Sequence, residues 1–274
     1  MTTGQPTLHC PCGERDVETV YTYRQPPAGE ILFGLSGDYH REYRQCRLCG
    51  HFFSWYGMAV TNPYGGAYID ATYGDADRVR QAYDRIMGLP AERSDNQARA
   101  ARVDAFAALR AVFRPTRSLL DVGAGLGVFP AAMQRRGWTV TALDPDPRNE
   151  RHYREVVGVT PLIGDFLVID PDRLGRYDAV TFNKVLEHVA DPTAMLRQAR
   201  LVVADGGFLY VELPDTAAAA EGPEREEFGF GHHHVFSPAS TALLLERCGF
   251  QVRRIDRIRE PSTKYTLYAF ATPT

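Results

Sequence analysis

The chain has 274 residues, enough for one large domain with a small appendage, and its 44% hydrophobic and 24% charged content is ordinary for a soluble globular protein. Its net charge of −3 argues against a nucleic-acid partner, because phosphate binding usually needs a clustered basic face. No apolar run approaches the roughly 20 residues that span a bilayer, and residues 1–13 show no secretory signal. We therefore expect a cytoplasmic protein with reduced thiols and no membrane partner.

Four of the five cysteines form two close pairs, and a glycine follows the second cysteine of each pair. Cys10 and Cys12 lie in HCPCG, and Cys46 and Cys49 lie in CRLCG. Two such knuckles, separated by a β-rich segment, predict four thiolates around a closed, structural Zn²⁺ site. His9 is an alternative to Cys10, because His9-x-x-Cys12 restores the usual spacing of the first pair.

The first 115 residues divide into a β-rich module, a loop and two helices. The patterns predict strands at 17–24 and 39–46 within the module, and helices at 77–87 and 96–113 after a loop rich in glycine and tyrosine. The predicted domains are a zinc-knuckle module at 1–60, a loop with lid helices at 61–115, and an α/β domain at 116–274.

The most informative stretch opens the α/β domain: a β run, a glycine-rich turn, a helix and a second β run. Gly123, Gly125 and Gly127 form a G-x-G-x-G turn, Asp121 precedes it, and Asp144 ends the second β run. A dinucleotide site would have G-x-G-x-x-G beside a pyrophosphate, which a carboxylate at Asp121 would repel. The stretch therefore favours a cationic, adenosine-containing ligand whose ribose hydroxyls donate to Asp144.

From residue 118 onward, β runs and helical runs alternate. The predicted strands are 118–123, 139–144, 160–163, 177–183 and 206–213, and the predicted helices are 126–136, 147–157, 192–203 and 237–248. Two further β runs, 251–259 and 264–272, predict a closing antiparallel hairpin. Together they predict an α/β fold with a Rossmann-like, seven-stranded sheet.

Two later segments supply candidate site residues. Asn183 ends the fourth predicted strand, where ligands bind in open α/β sheets, and His188 follows in LEHV. His232 and His234 lie in GHHHVFSP, and either imidazole is a candidate general base for a substrate hydroxyl or amine. The alternatives are that His188 orients its loop, and that the histidines of the block bond to the backbone or are solvated.

In this order, the motifs resemble class I S-adenosylmethionine (SAM)-dependent methyltransferases with an N-terminal zinc knuckle. The resemblance covers nearly the whole chain and rests on LDVGAGLG, ALDPD, VLEHVADP, GGFLYVELP and HHHVFSP. It implies SAM as the cofactor, with Asp165 accepting the adenine amino group and Phe166 packing on the ring; the alternative for Asp165 is an acidic turn that caps the next segment. It also implies that the loop bearing Tyr73 closes over SAM. Arg99 is a candidate partner for the methionine carboxylate of SAM, with a surface arginine as the alternative.

The function that the resemblance implies is methyl transfer to a small-molecule acceptor, of the natural-product or sugar-intermediate type. The alternatives are a zinc-ribbon RNA methyltransferase and a non-catalytic SAM-binding scaffold. Some related quinone-pathway O-methyltransferases bind a divalent metal through additional acidic residues, but Lys184 occupies the acidic position three residues before Glu187. The resemblance therefore does not extend to a catalytic metal. The oligomeric state and the acceptor atom (O, N or C) stay open.

Overall fold

The computed structural model describes residues 8–32, 35–60, 76–110 and 117–274. They form a seven-stranded sheet with helices on both faces, a four-stranded sheet and a two-stranded ribbon. The predicted tyrosine loop, including Tyr73, lies outside the described residues.

The strands are β1 (Val17–Tyr23), β2 (Leu35–Ser36), β3 (Arg41–Cys46), β4 (Phe52–Tyr56), β5 (Ala59–Val60), β6 (Arg117–Val122), β7 (Trp138–Asp144), β8 (Thr160–Ile163), β9 (Tyr177–Asn183), β10 (Val203–Pro214), β11 (His234–Val235), β12 (Phe250–Arg259) and β13 (Tyr265–Pro273). The α-helices are α1 (Ala76–Met87), α2 (Asp95–Leu109), α3 (Val128–Gln134), α4 (Asn149–His152), α5 (Pro171–Leu174), α6 (Pro192–Val202) and α7 (Pro238–Arg247). A π-helical turn, Tyr153–Val157, continues α4.

The large sheet has the order β12-β13-β10-β9-β6-β7-β8. Strands β8, β7, β6, β9 and β10 are parallel, whereas β13 runs antiparallel to both of its neighbours. This arrangement confirms the predicted α/β fold and its closing hairpin. Because the five parallel strands end at one edge, the residues that follow them lie at that edge, where open α/β sheets bind ligands.

The central strands of the large sheet are buried on both faces, as parallel sheets generally are. Adjacent residues of β6 alternate between the two cores: Leu119 packs with residues of α2 and α3, and Leu120 packs with residues of α6 and α7. Both side chains are fully buried. The central strand is therefore held rigidly, which fixes the glycine turn that follows it.

The four-stranded sheet has the order β1-β3-β4-β11, and its last strand comes from the far end of the chain. His234 pairs with Phe53, and Val235 pairs with Phe52. The segment predicted as a separate zinc-knuckle module therefore shares a sheet with the histidine block of the α/β segment.

Helix α7 is built as its sequence predicts. Ser237 is the N-cap, its hydroxyl accepts from the backbone N–H of Ser240, and the Ser240 hydroxyl reciprocates, with Pro238 at the first helical position. The Ser237 hydroxyl also donates to the carbonyl oxygen of Cys49, so the cap joins this helix to the second cysteine knuckle.

Candidate active site

The glycine turn after β6 combines a left-handed backbone with close packing. Gly123, Gly125 and Gly127 have φ of 71°, 52° and 74°, a region that other residues adopt at a cost. A Cβ at Gly123 would lie 2.7 Å from a methyl of Val185, and one at Gly127 would lie 2.8 Å from a methyl of Val157. A Cβ at Gly125 would have no neighbour within 4 Å among the described residues. The middle glycine therefore borders open space.

Asp144, the last residue of β7, is hydrogen-bonded to the backbone of this turn at Gly125. Its carboxylate accepts from the backbone N–H of Gly125 and of Asp146, at 3.0 Å each. Burial raises the pKa of Asp144, while these two N–H groups oppose the increase. A fixed carboxylate beside a bare glycine backbone suits the ribose hydroxyls of an adenosine, which is the role predicted for Asp144.

Asp121 is buried within β6, with 1% of its surface exposed. One carboxylate oxygen accepts from the hydroxyl of Thr181 and from the amide of Asn183, each at 2.7 Å. Burial raises its pKa to about 7, with the charge of Asp144 adding to the increase. A cation near this carboxylate, such as the ammonium of SAM, would lower that pKa again.

Arg99 is engaged by the protein itself. It forms an ion pair with the buried Glu212 of β10, and its second terminal nitrogen donates to Asn96 at 2.8 Å. The alternative of a surface arginine is wrong, because Arg99 is 8% exposed. Its Nε is buried with no hydrogen-bond partner among the described residues, so one donor is left for a cofactor carboxylate. The predicted contact with SAM stays a prediction.

Asp165 and Phe166 follow β8, but they do not both face the site. Asp165 is exposed, and its carboxylate accepts from the N–H of Leu167 at 2.9 Å, which caps the next turn. Phe166 is 2% exposed and packs edge-on against Phe182 in the core. This burial leaves little ring surface for the predicted packing on adenine, because the segment after β8 folds inward over the core.

Glu187, His188 and His232 meet at the carboxyl edge of the sheet. One ligand-type atom from each lies within 4.8 Å of the other two, and the two imidazole centroids are 4.8 Å apart. His188 Nδ1 lies 3.1 Å from the carbonyl oxygen of Gly231, and His232 Nδ1 lies 2.9 Å from that of Glu227. A carbonyl only accepts, so each Nδ1 carries the proton and each Nε2 is the basic nitrogen.

The Glu187 carboxylate has no hydrogen-bond partner within the described ranges, although the side chain is completely buried. Burial raises its pKa, and the positive charges of His188 and Lys184 oppose the increase. The pKa of His232 is well below 6.5, because burial and the neighbouring His188 disfavour its charged form. The His232 imidazole is therefore neutral at neutral pH, the form in which its Nε2 can accept a proton.

His234 does not fit the predicted role of general base. It is 1% exposed, and its Nδ1 lies 3.0 Å from Nε2 of His51, whose other ring nitrogen is 3.2 Å from the hydroxyl of Ser240. Burial lowers the pKa of His234 to about 4. Strand pairing with β4 places this side chain against His51, which links it to helix α7 through Ser240.

The four predicted metal-ligating cysteines come together in a buried cluster. Their sulfurs all lie within 4.8 Å of one another, with nearest distances of 3.2 and 3.6 Å. Zinc with Zn–S bonds of about 2.3 Å requires sulfurs about 3.8 Å apart, so the cluster has the size of a tetrahedral Cys₄ site. Gly13 and Gly50 take left-handed φ of 80° and 73°, as knuckle turns require. His9 is exposed, and the cluster contains Cys10 instead.

A family model described as a methyltransferase domain matches residues 93–255. The chain belongs to the class I SAM-dependent methyltransferase family. Among curated proteins, this methyltransferase is 35% identical over 118 residues to a ubiquinone biosynthesis O-methyltransferase of Caulobacter vibrioides, covering 40% of the chain and 46% of that relative. It is 31% identical over 152 residues to a protein of the same name from Xanthomonas axonopodis, covering 50% and 64%. The matches span about half the length of these relatives.

Solved structures support the fold. Magnesium protoporphyrin IX methyltransferase from Synechocystis, with bound S-adenosylhomocysteine (SAH), matches with a TM-score of 0.53 at 16% identity, over 71% of this chain and 94% of that one. The 1,6-didemethyltoxoflavin-N1-methyltransferase of Burkholderia thailandensis matches with a TM-score of 0.53 at 18% identity, over 82% and 96%. In the described ranges, no helix of the methyltransferase is both long and apolar enough to cross a membrane.

Two buried residues with side-chain contacts in this region are absent from the sequence predictions. Glu187 is not among the predicted site residues, and neither is His51, which contacts His234. A local signal existed for Glu187, since it adjoins His188 in the sequence. None existed for His51, because its partner His234 lies 183 residues away.

Proposed function

We propose that this methyltransferase transfers the methyl group of SAM to a small-molecule acceptor, of the natural-product or sugar-intermediate type. SAM lies along the glycine turn, with Asp144 on its ribose and Asp121 near its ammonium. The acceptor lies beside His188 and His232, one of which takes its proton. The names of the similar proteins agree with this class of acceptor, since ubiquinone precursors, a porphyrin and didemethyltoxoflavin are all small molecules.

The observation that carries the proposal is the pairing of two features at one sheet edge. The open backbone of Gly125 beside Asp144 fits a cofactor, and the buried, unpartnered Glu187 lies next to two imidazoles whose Nε2 atoms are basic. SAM carries its own leaving group, so the protein mainly has to align the acceptor with the methyl carbon and accept one proton.

We also propose that Cys10, Cys12, Cys46 and Cys49 hold a structural zinc ion. The cluster is buried, has no open coordination position and receives a backbone N–H from Glu14 at the sulfur of Cys12. A site of this kind stabilises folding and takes no part in methyl chemistry.

The cofactor assignment is tested by calorimetry. We expect SAM and SAH to bind the wild-type protein, and Asp144→Ala to weaken binding at least about 30-fold, or about 2 kcal/mol, because the ribose loses its charged acceptor. Asp170→Ala removes an exposed helix cap on the same domain and serves as the matched control. Unchanged binding by Asp144→Ala would refute the assignment.

The acceptor class is tested with [methyl-³H]SAM and a cell extract separated into small molecules, RNA and protein. The proposal expects label in the small-molecule fraction, and that fraction then supplies the acceptor for kinetic work. Label in RNA would favour the zinc-ribbon RNA methyltransferase. SAM binding without label in any fraction would favour a non-catalytic scaffold.

A further inference from the structure

Lysine is rare in this chain, and one of its lysines lies beside the candidate active site. Of 31 Lys and Arg residues, only Lys184 and Lys264 are lysines. Lys184 directly follows β9 and has φ of 60°, one of two non-glycine residues in the described ranges with a left-handed backbone. Such a conformation costs about 1–2 kcal/mol, and strain of this kind concentrates at functional sites.

The Lys184 ammonium is held in place without being neutralised by a direct ion pair. Its backbone N–H donates to the Glu212 carbonyl at 3.0 Å, and its ammonium donates to the Thr266 hydroxyl at 2.7 Å. The carboxylates of Glu212 and Glu260 pair instead with arginines of α2, and no carboxylate in the described part of the chain lies within 4.0 Å of the ammonium. Two of its three N–H groups therefore have no hydrogen-bond acceptor among the described residues.

The positive charge of Lys184 affects the pKa values of His232 and Glu187. It contributes to the low pKa of His232 and opposes the rise in the pKa of Glu187. Burial lowers the pKa of Lys184 itself; Glu212, Glu187 and Glu260 oppose this decrease, and the Arg99 charge adds to it. The ammonium thus interacts electrostatically with groups from β10, the loop after β9, α2 and the residue after β12, and Lys184 lies in the same loop as Glu187 and His188.

We propose that the Lys184 ammonium binds the acceptor oxygen and stabilises the negative charge that develops there, so that the acceptor is a phenol or an enol. This inference rests on the proposed function. The O–H proton moves to Nε2 of His188 or His232, and an oxygen lone pair forms the bond to the methyl carbon. The carbon–sulfur bond breaks with its electron pair on sulfur, which leaves SAH, while Lys184 keeps its proton.

The same position disfavours an amine acceptor. An amine develops no negative charge when it attacks the methyl group, and its protonated form would be repelled by the ammonium. A donor aimed at a developing oxyanion in a buried site is worth about 10²- to 10³-fold in rate. Lys184 is therefore expected to discriminate between acidic hydroxyls and amines.

The position of Lys184 can be measured without knowing the acceptor. Protein labelled with [¹⁵Nζ]lysine gives two side-chain signals, which Lys264→Met assigns. Because SAM carries a sulfonium charge that SAH lacks, we expect the pKa of Lys184 to be about half a pH unit lower in the SAM complex, with that of Lys264 unchanged. Equal Lys184 pKa values in the two complexes overturn the proposal. Absence of cofactor binding in calorimetry would instead remove the proposed function.

The acceptor class is tested with 4-nitrocatechol, whose phenolate absorbs visible light, and with SAH-loaded protein. We expect the bound probe to ionise about one pH unit or more lower in the wild type and in Lys264→Met than in Lys184→Met, because the ammonium favours the phenolate. SAH affinity should agree within about threefold among the three proteins. Equal ionisation in the wild type and Lys184→Met, including none in either, overturns the proposal.

Discussion

Asp121 shows how one buried carboxyl group is prepared for a cationic ligand. Its ionisation is opposed by burial in the central strand, and the two hydrogen bonds from Thr181 and Asn183 only partly compensate. The free protein therefore carries an electrostatic cost at this position, which a positively charged ligand group relieves. Functional sites often contain buried ionisable groups whose pKa values are shifted in this way.

Asp121→Asn is predicted to stabilise the ligand-free protein at high pH. The folded-state pKa of about 7 is raised above the ordinary value of 3.8, so the wild type is favoured fully only below pH 3.8 and loses this stability as pH rises through 7. The advantage of the variant should grow between pH 4 and 7 to at most about 4 kcal/mol and then level off. Urea unfolding at pH 4, 5.5 and 7.5 measures it, and a pH-independent difference would contradict the argument. SAM should bind the variant more weakly.

His232→Gln is predicted to lower kcat about 100-fold while SAM affinity changes less than about threefold, because the variant keeps the loop but removes a base. Since burial places the pKa of His232 below 6.5, the acid limb of the wild-type kcat profile should lie below pH 6.5 and should vanish in the variant. His234→Gln should reduce the free energy of unfolding and leave that limb in place. A limb that persists in His232→Gln would assign the base to His188.

At the scale of elements, substitutions at two glycines of the same turn are expected to differ in their effects on SAM binding and on stability. Gly125→Ala places a methyl in open space, so we expect a loss of about 1 kcal/mol in the free energy of unfolding and at least about tenfold in SAM affinity. Gly127→Ala has similar backbone strain, but its methyl would collide with Val157 at 2.8 Å, which should cost about 2–3 kcal/mol with a smaller effect on affinity. Urea unfolding and calorimetry of both variants measure the contrast. Equal losses of affinity would contradict it.

Local patterns predicted the elements of the large sheet because each strand and helix carries its own period. The β6 run, the glycine turn and the Ser237 cap are all determined by neighbours within a few residues. The pairing of His234 with strand β4 was not predictable in this way, since two residues carry no period and the partner is 181 residues away. For the same reason the sequence groups His234 with His232, although only His234 belongs to the two-residue strand β11. The burial of Phe166 was not predictable either, because it depends on the segment after β8.

At the scale of the whole molecule, the cysteine cluster and the acceptor side form one connected structure. Cys49 is joined to Ser237, and His51 is joined to His234, through hydrogen bonds. The N–H of Ser54 donates to the His233 carbonyl, and the N–H of His233 donates to the Glu187 carbonyl. This chain of contacts ends at Glu187, which adjoins His188, one of the two residues proposed to take the proton. The cofactor turn, by contrast, is supported by the large sheet and by the segment after β7, where the Tyr153 hydroxyl donates to the Gly125 carbonyl at 2.7 Å.

Loss of zinc is therefore predicted to abolish methyl transfer while leaving SAM binding within about threefold of the wild-type value. Metal analysis should find about one zinc per chain in the wild type and in Cys248→Ser, whose thiol is buried outside the cluster, and none in Cys46→Ser. Cys46→Ser should lose at least about 100-fold in kcat, because the loop that carries His232 loses its support, and the N-terminal segment should become sensitive to proteolysis. Full activity in zinc-free protein would show that the two sites are independent. Two zinc ions per chain would place the second at Glu187, His188 and His232, and would contradict a free imidazole base.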